Sequence, residues 1–226
     1  FMLALIVISF LVAAIAVLGF MRRARRHGRR YGQDMPQRFH AGNVPRLGGA
    51  GIFLGMGAAW LAAGVVDRLN VYWPLKASGL TLLCLAPAVL GGIVEDITQR
   101  VAVRWRLGLT IGSALLLCYV LDLSLERTGV PMVDGWLRAV PYAGVLFAAF
   151  AIGGLPHAFN IIDGYNGLAG TVAVLVCLAI AHVALQLGDR QLAAMVLCLL
   201  SATAGFLMRN YPRGKVSAGH GGAYGW

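Results

Sequence analysis

Seven apolar runs, each close to the thickness of a bilayer, dominate this sequence: residues 1–21, 47–66, 77–94, 107–121, 140–159, 168–187 and 192–208. A helix needs roughly 20 apolar residues to cross hydrocarbon, and about 17 suffice. The fourth run reaches that length only if Trp105 and Arg106 snorkel at its start. Hydrophobic residues make up 59% of the 226 and charged residues 12%, about half the usual charged share. A soluble domain of this size could not hide so much apolar surface, so lipid is the solvent. The expected fold is an all-α polytopic membrane protein of about seven transmembrane helices, forming a single domain over residues 1–226. Thirty glycines suit helices that pack closely through small residues. Cys84, Cys118, Cys177 and Cys198 all lie inside apolar runs without metal-ligand spacing and read as small hydrophobes.

Charge orients the spans. The joints after runs one, three, five and seven hold Arg22, Arg23, Arg25, Arg26, Arg29, Arg30, Arg38, Arg46, Arg100, Arg104, Arg106, Arg209, Arg213 and Lys215, which is 14 of the 19 basic residues. The positive-inside rule makes that side cytoplasmic and puts the amino terminus outside. The first run lacks the charged start and small-residue cleavage site of a signal peptide. Residues 123–139, with Gly129 and Pro131, read as an external loop or short hairpin.

Only four acidic residues fall on the cytoplasmic side: Asp34, Glu95, Asp96 and Asp163. Each stands beside glycine, proline or basic residues. The most informative joint is Asn160-Ile161-Ile162-Asp163-Gly164-Tyr165-Asn166-Gly167-Leu168-Ala169-Gly170. It carries oxygen ligands and flexible backbone where two spans need only a short turn. Beside it stand Asp34-Met35-Pro36-Gln37-Arg38-Phe39-His40 with Pro45-Arg46-Leu47-Gly48-Gly49, and Gly91-Gly92-Ile93-Val94-Glu95-Asp96. The last joint reads Asn210-Tyr211-Pro212-Arg213-Gly214-Lys215, then Ala218-Gly219-His220-Gly221-Gly222-Ala223. Carboxylates at membrane depth bind hard cations through oxygen, arginines clamp phosphates bidentately, and glycine loops bring backbone N–H groups to a pyrophosphate. Together they suggest metal-assisted phosphoryl transfer between a soluble nucleotide and a membrane lipid.

Several residues have plainer readings. The basic run 22–30 serves as a topology and anionic-lipid anchor, with His27 solvated inside it. His182 and Gln186 suit interhelical hydrogen bonds. His157, beside Pro156, either caps a broken helix or approaches substrate. Arg104 and Arg106 either mark the membrane boundary or contact phosphate. A transporter would show internal repeats and charges near the middle of its spans, and neither is present.

At the four cytoplasmic segments, taken in order from about Asp34 to Ala223, the chain resembles the polyprenyl-phosphate N-acetylhexosamine-1-phosphate transferases (glycosyltransferase family 4). This family includes the bacterial phospho-MurNAc-pentapeptide translocase. The form Pro45-Arg46-Leu47-Gly48-Gly49 is nearer to its undecaprenyl-phosphate GlcNAc-1-phosphate branch. The resemblance implies transfer of sugar-1-phosphate from a UDP-N-acetylhexosamine to polyprenyl phosphate with release of UMP, an early membrane step of cell-envelope glycan synthesis in the bacterial inner membrane. It implies Mg²⁺, with Mn²⁺ as a substitute, and no nucleic-acid partner; a homodimer is an open expectation.

Carried over residue by residue, the resemblance makes Glu95, Asp96 and Asp163 catalytic, with Asp96 the candidate base for the acceptor phosphate. Asn160, Asn166, Asn210, Arg104, Arg38, His40 and Arg46 become substrate-binding. Asp163, Asp96 and His220 become the metal ligands. Four positions depart from the family pattern. Glu95 and Asn166 stand where aspartate is commoner, Phe39 replaces a basic residue, and His220 occupies the aspartate of a Gly-Asp-x-Gly motif. The family also has later helices beyond the point matching Trp226, so the expectation is a chain incomplete relative to it. Loss of the carboxylate at 220 makes a catalytically impaired binder of nucleotide sugar the alternative.

Overall fold

The computed structural model describes residues 1–24, 44–66 and 75–226. Arg38 and His40 lie outside the described residues, as do Asp34, Phe39, His27 and the basic residues Arg25, Arg26, Arg29 and Arg30. The described helices are α1 (Met2–Ala24), α2 (Gly48–Val66), α3 (Leu75–Thr98), α4 (Val103–Val120), α5 (Pro131–Ala139), α6 (Ala143–Ile162), α7 (Leu168–Gln186), α8 (Arg190–Asn210) and α9 (Gly219–Gly225). Seven of them are long and apolar enough to cross a membrane, and they correspond one for one to the seven runs. The chain is a multi-pass helical membrane protein.

Lipid does not press helices together as water does, so their association depends on close approach of small residues. Helix α1 sits against α2 and α8 in this way. A Cβ at Gly55 of α2 would meet the Ser9 carbonyl at 2.6 Å, and one at Gly205 of α8 would meet the Phe10 carbonyl at 2.7 Å. The Ser9 hydroxyl donates to the Cys198 carbonyl at 2.6 Å, tying α1 to α8. Ala13, Val17, Ala59, Ala202 and Phe206 are buried between these helices, whereas Leu3, Leu83, Val103 and Phe150 point outward. An apolar exterior of this kind suits lipid and not water.

Pro87 interrupts α3 and removes one ladder donor. The next amide, Ala88 N–H, donates to Ser113 Oγ of α4 at 3.2 Å, so the irregular turn is fastened to its neighbour. Helix α4 begins at Val103, earlier than the apolar run. It therefore takes in Trp105 and Arg106 and reaches spanning length.

Two elements differ from expectation. Part of the segment 123–139 folds as α5, with Pro131 opening its first turn, a position where a missing N–H costs nothing. Asp134 Oδ1 accepts from Thr128 N and Oγ at 2.6 and 2.7 Å and fastens the preceding turn. The second is α9, seven residues of which four are glycine. It leaves the end of α8 and runs back into the bundle, packed on α2, α3 and α6. The starts of α2, α4, α7 and α9 thus meet the ends of α3, α6 and α8 at one end of the bundle.

Candidate active site

The loop Ser217–Gly222 forms the centre of that end, and main-chain contacts fix it. Gly48 N–H donates to Ser217 O at 3.0 Å and Gly49 N–H to Ala218 O at 2.9 Å, while Ser217 N–H donates to Pro45 O at 2.9 Å. On the opposite side, α3 meets α9 main chain to main chain at Gly92. A Cβ at Gly92 would lie 2.8 Å from the Gly221 nitrogen. Gly219 has φ +69°, left-handed backbone that costs a residue with a Cβ roughly 1–2 kcal/mol. A Cβ there would also meet Asp96 Oδ2 at 2.5 Å.

Asp96, in the last turn of α3, holds this loop. Its Oδ1 accepts from His220 N–H at 2.9 Å and lies 3.0 Å from His220 Nδ1, and its Oδ2 accepts from Gly221 N–H at 2.9 Å. The Asp96 side chain is 1% exposed. Since a carboxylate can only accept, Nδ1 of His220 carries the proton and Nε2 is left as an acceptor. That nitrogen faces Arg106 Nη1 at 2.5 Å. Glu95 Oε1 lies 3.9 Å from the same Nη1, while its Oε2 accepts Val101 N–H at 2.7 Å. Glu95, Arg106, His220 and Asp96 thus form one continuous polar chain.

Asp163 caps the end of α6 and reaches the same loop from the other side. Its Oδ2 accepts from Ser217 Oγ at 3.2 Å. Burial pushes its carboxyl up to about 6; the Ser217 hydroxyl and the Gly219 amide oppose the rise, the Asp96 charge adds to it, and Arg46 offsets it. Asp96 and Asp163 therefore converge on a single five-residue stretch, as their positions at the same ends of spans predict.

The amides divide by role. Asn210 is 3% exposed; its Oδ1 accepts Gly167 N–H at 2.5 Å and its Nδ2 donates to Val216 O at 2.8 Å. Both ends join the α6–α7 turn to the α8–α9 loop, which gives Asn210, substrate-binding by the resemblance, a positioning role. Asn166 Nδ2 donates to Pro212 O at 3.3 Å, while its buried Oδ1 has no partner among the described residues. Asn160 lies half-buried in the last turn of α6. Beside Asn166 opens a cleft of about 480 Å³ bordered by Tyr165, Gly167, Leu168, Thr171 and Tyr211.

Arg46 is half-buried at the entrance to α2. Arg104 is exposed, and Arg106 is the arginine that reaches His220. Two residues on a helix stand about 200° apart, so only one of them can face inward. Arg106 shares its stripe with the buried Thr110, Ser113 and Leu117, a signal the register of α4 carried in advance. His157 makes a hydrogen bond with Thr110 Oγ1 at 3.0 Å, and its ring meets Tyr224 edge-on at 5.5 Å. Ser217 is a further site residue that the sequence reading passed over.

This donor set does not fit the Mg²⁺ site implied by the resemblance. Mg²⁺ takes oxygen ligands in near-octahedral array and keeps several waters. Both Asp96 oxygens are covered by N–H donors, and the one acceptor nitrogen of His220 faces a guanidinium. Among the described residues no group of three or more His, Cys, Asp or Glu side chains is placed to hold a metal ion.

The chain has recognisable relatives. It is 29% identical over 226 residues to the "Probable undecaprenyl-phosphate N-acetylglucosaminyl 1-phosphate transferase" of Bacillus subtilis (strain 168), covering 96% of this chain and 59% of that protein. It is 27% identical over 229 residues to the phospho-N-acetylmuramoyl-pentapeptide-transferase of Moorella thermoacetica, covering 98% of this chain and 70% of the relative. The phospho-N-acetylmuramoyl-pentapeptide-transferase of Synechococcus sp. (strain JA-3-3Ab) is 29% identical over 205 residues, covering 85% and 56%. The chain thus spans between about half and seven tenths of the length of these relatives. The model of the family "Glycosyl transferase family 4" matches residues 78–226, which take in most of α3, the carboxylates Glu95, Asp96 and Asp163 and the loop around His220. With two thirds of its length inside that match, the chain belongs to glycosyl transferase family 4.

Proposed function

We propose that this protein transfers N-acetylhexosamine-1-phosphate from a UDP-sugar to polyprenyl phosphate and releases UMP, at the cytoplasmic face of a bacterial inner membrane. The observation that carries the proposal is the convergence of Asp96, Asp163 and Arg106 on one glycine loop at the end of a lipid-facing bundle. A water-soluble diphosphate and a lipid phosphate can meet only at such a place. Relatives named for transfer to undecaprenyl phosphate support the choice of acceptor.

In the proposed reaction, an acceptor phosphate oxygen attacks the sugar-bearing phosphorus of the UDP-sugar. The bridging P–O bond to UMP breaks, and a new pyrophosphate links sugar and lipid. Asp163 is better suited than Asp96 to take the proton of a monoanionic acceptor. Its carboxyl, raised to about 6, matches the second ionisation of a phosphate monoester near 6, whereas Asp96 is sealed by its own hydrogen bonds. Asp96 is then a positioning residue for His220. The orphaned Asn166 Oδ1 can accept from a substrate N–H or hydroxyl. The cleft lined by Asn166, Leu168 and Thr171, mostly apolar, suits the neck of the acceptor lipid.

Transfer of radiolabel from UDP-GlcNAc to undecaprenyl phosphate, in membranes containing the full chain, tests the activity. Nucleotide-sugar binding with no labelled lipid product would favour the impaired-binder alternative. Orientation is tested separately. The native cysteines are all buried, so Ala102→Cys should react with an impermeant maleimide only from the cytoplasm, and Glu126→Cys only from outside.

A further inference from the structure

We infer that in this chain the Arg106 guanidinium, held by the Asp96–His220 pair, takes the place of a divalent metal as the cation that faces the substrate diphosphate. The inference rests on the nucleotide-sugar reading above and adds how the diphosphate is held.

Geometry occupies two of the three metal ligands that the resemblance implies, Asp96 and His220. Both Asp96 oxygens are already engaged, because they accept from His220 N–H, His220 Nδ1–H and Gly221 N–H. Gly219 closes over Oδ2 so tightly that even a methyl group would not fit. His220 presents an imidazole, a ligand suited to softer metals, and its acceptor nitrogen already receives Arg106 Nη1–H. A hydrated Mg²⁺ entering here would have to break that contact and displace a positive charge.

The same contacts prepare Arg106 for an anion. His220 and Glu95 fix one edge of the guanidinium, and a guanidinium has five N–H donors in a planar fork. The Tyr224 hydroxyl of α9 lies within hydrogen-bonding reach of the same guanidinium, so a third group helps to hold it. The Arg106 side chain keeps 17% exposure, enough for a ligand oxygen to reach it. Asp96 supplies its negative charge through His220, which orients the ring and makes Nε2 a better acceptor, as a carboxylate does behind a ligating histidine. Carboxylate, imidazole and guanidinium form a relay that ends in a fixed cation next to the Gly219–Gly222 loop. A fixed guanidinium stabilises phosphoryl charge by the same electrostatics as a metal ion.

The test measures binding to the full chain in nanodiscs by isothermal titration calorimetry, with UDP-GlcNAc and with inorganic pyrophosphate, in EDTA and in millimolar Mg²⁺. Both probes should bind in EDTA, and UDP-GlcNAc affinity should change less than about threefold when Mg²⁺ is added. Arg106→Gln should weaken both probes roughly 10- to 100-fold in EDTA, the range for hydrogen bonds to charged groups. Arg106→Lys should recover part of that loss, with thermal melting of each variant checked for an intact fold. UDP-GlcNAc that binds only with Mg²⁺ would overturn the metal replacement and leave the nucleotide-sugar reading standing. Pyrophosphate that binds in EDTA through Arg106 while UDP-GlcNAc binds nowhere would support the guanidinium site and sink the nucleotide-sugar reading. Binding of neither probe under either condition, or Arg106→Gln binding as tightly as the parent, would overturn the inference.

Discussion

Replacing Asn210 separates a structural from a substrate-binding role at a position where the family resemblance suggests the latter. In Asn210→Ala, the buried Gly167 N–H and Val216 C=O each lose their partner. An unsatisfied buried group costs about 1–3 kcal/mol, so the two together cost on the order of 2–6 kcal/mol, with water entry pulling the value toward the lower end. Asn210→Asp keeps an oxygen acceptor for Gly167 N–H but puts a second acceptor against Val216 O. It should lose more than one hydrogen bond's worth, because two oxygens then face each other in a buried site. Asn210→Gln retains both functional groups on a longer stem and tests reach alone. Reversible unfolding in mixed micelles gives the stability change, and equilibrium binding of UDP-GlcNAc gives the affinity change of the folded fraction. The expected pattern is a large stability loss in the alanine and aspartate variants, with folded protein binding nucleotide nearly as well as the parent. An alanine variant of unchanged stability that binds nucleotide tenfold more weakly would refute the reasoning and return Asn210 to the substrate.

Asp163 predicts a pH dependence of known sign. Its folded carboxyl, at about 6, lies above its ordinary value of 3.8, so folding favours the protonated form. The stabilisation is complete below about 3.8 and disappears as pH rises through about 6; Asp163→Asn should flatten that slope in unfolding measured from pH 4 to 7. If Asp163 is the base, the same variant should lose about 10²–10⁴-fold in turnover, and the parent's kcat/KM should climb through pH 6. Gly219→Ala combines left-handed strain with a clash on Asp96 Oδ2; it should lower the melting temperature and weaken pyrophosphate binding, and a variant with neither effect would show that the loop can shift. Arg104→Gln, at an exposed position, should change stability by no more than about 0.5 kcal/mol and leave nucleotide affinity unchanged, in contrast to Arg106→Gln. Thr171→Trp, in the wall of the cleft, should raise the KM for polyprenyl phosphate with little effect on UDP-GlcNAc affinity.

The spans were legible because hydrophobic length is a direct physical requirement of a bilayer, and it survives without any knowledge of packing. Helix α9 was not legible. His220-Gly221-Gly222-Ala223-Tyr224-Gly225 has the poor helix propensity of its glycines, and only contact with α2, α3 and α6 pays for the turn it makes. The carboxylates were found because Asp96 and Asp163 are rare charges at the ends of apolar runs. Which face they present was hidden: nothing in the string Glu95-Asp96 says that the second acid is sealed by the N–H groups of His220 and Gly221. Arg106 was recoverable in principle from its register with Thr110 and Ser113, whereas proximity to Glu95-Asp96 alone favoured Arg104 equally. Ser217 had no such signal, since a lone serine in a loop says nothing of the acid it will meet.

The crossings of α3 and α2 over the loop at Gly92 and Gly49 bring main chain against main chain. Side-chain contacts can be retuned a methylene at a time, and their errors spread among rotamers. A joint made of peptide units has no such adjustment: it either closes or stands open by the width of a methyl group. Mutational tolerance around this site should therefore be bimodal, with Gly92 and Gly49 accepting almost nothing while the apolar residues one turn away accept many substitutes. The distance between the ends of the helices is then set by backbone thickness, and drift in the lipid-facing sequence can proceed for a long time without moving the site.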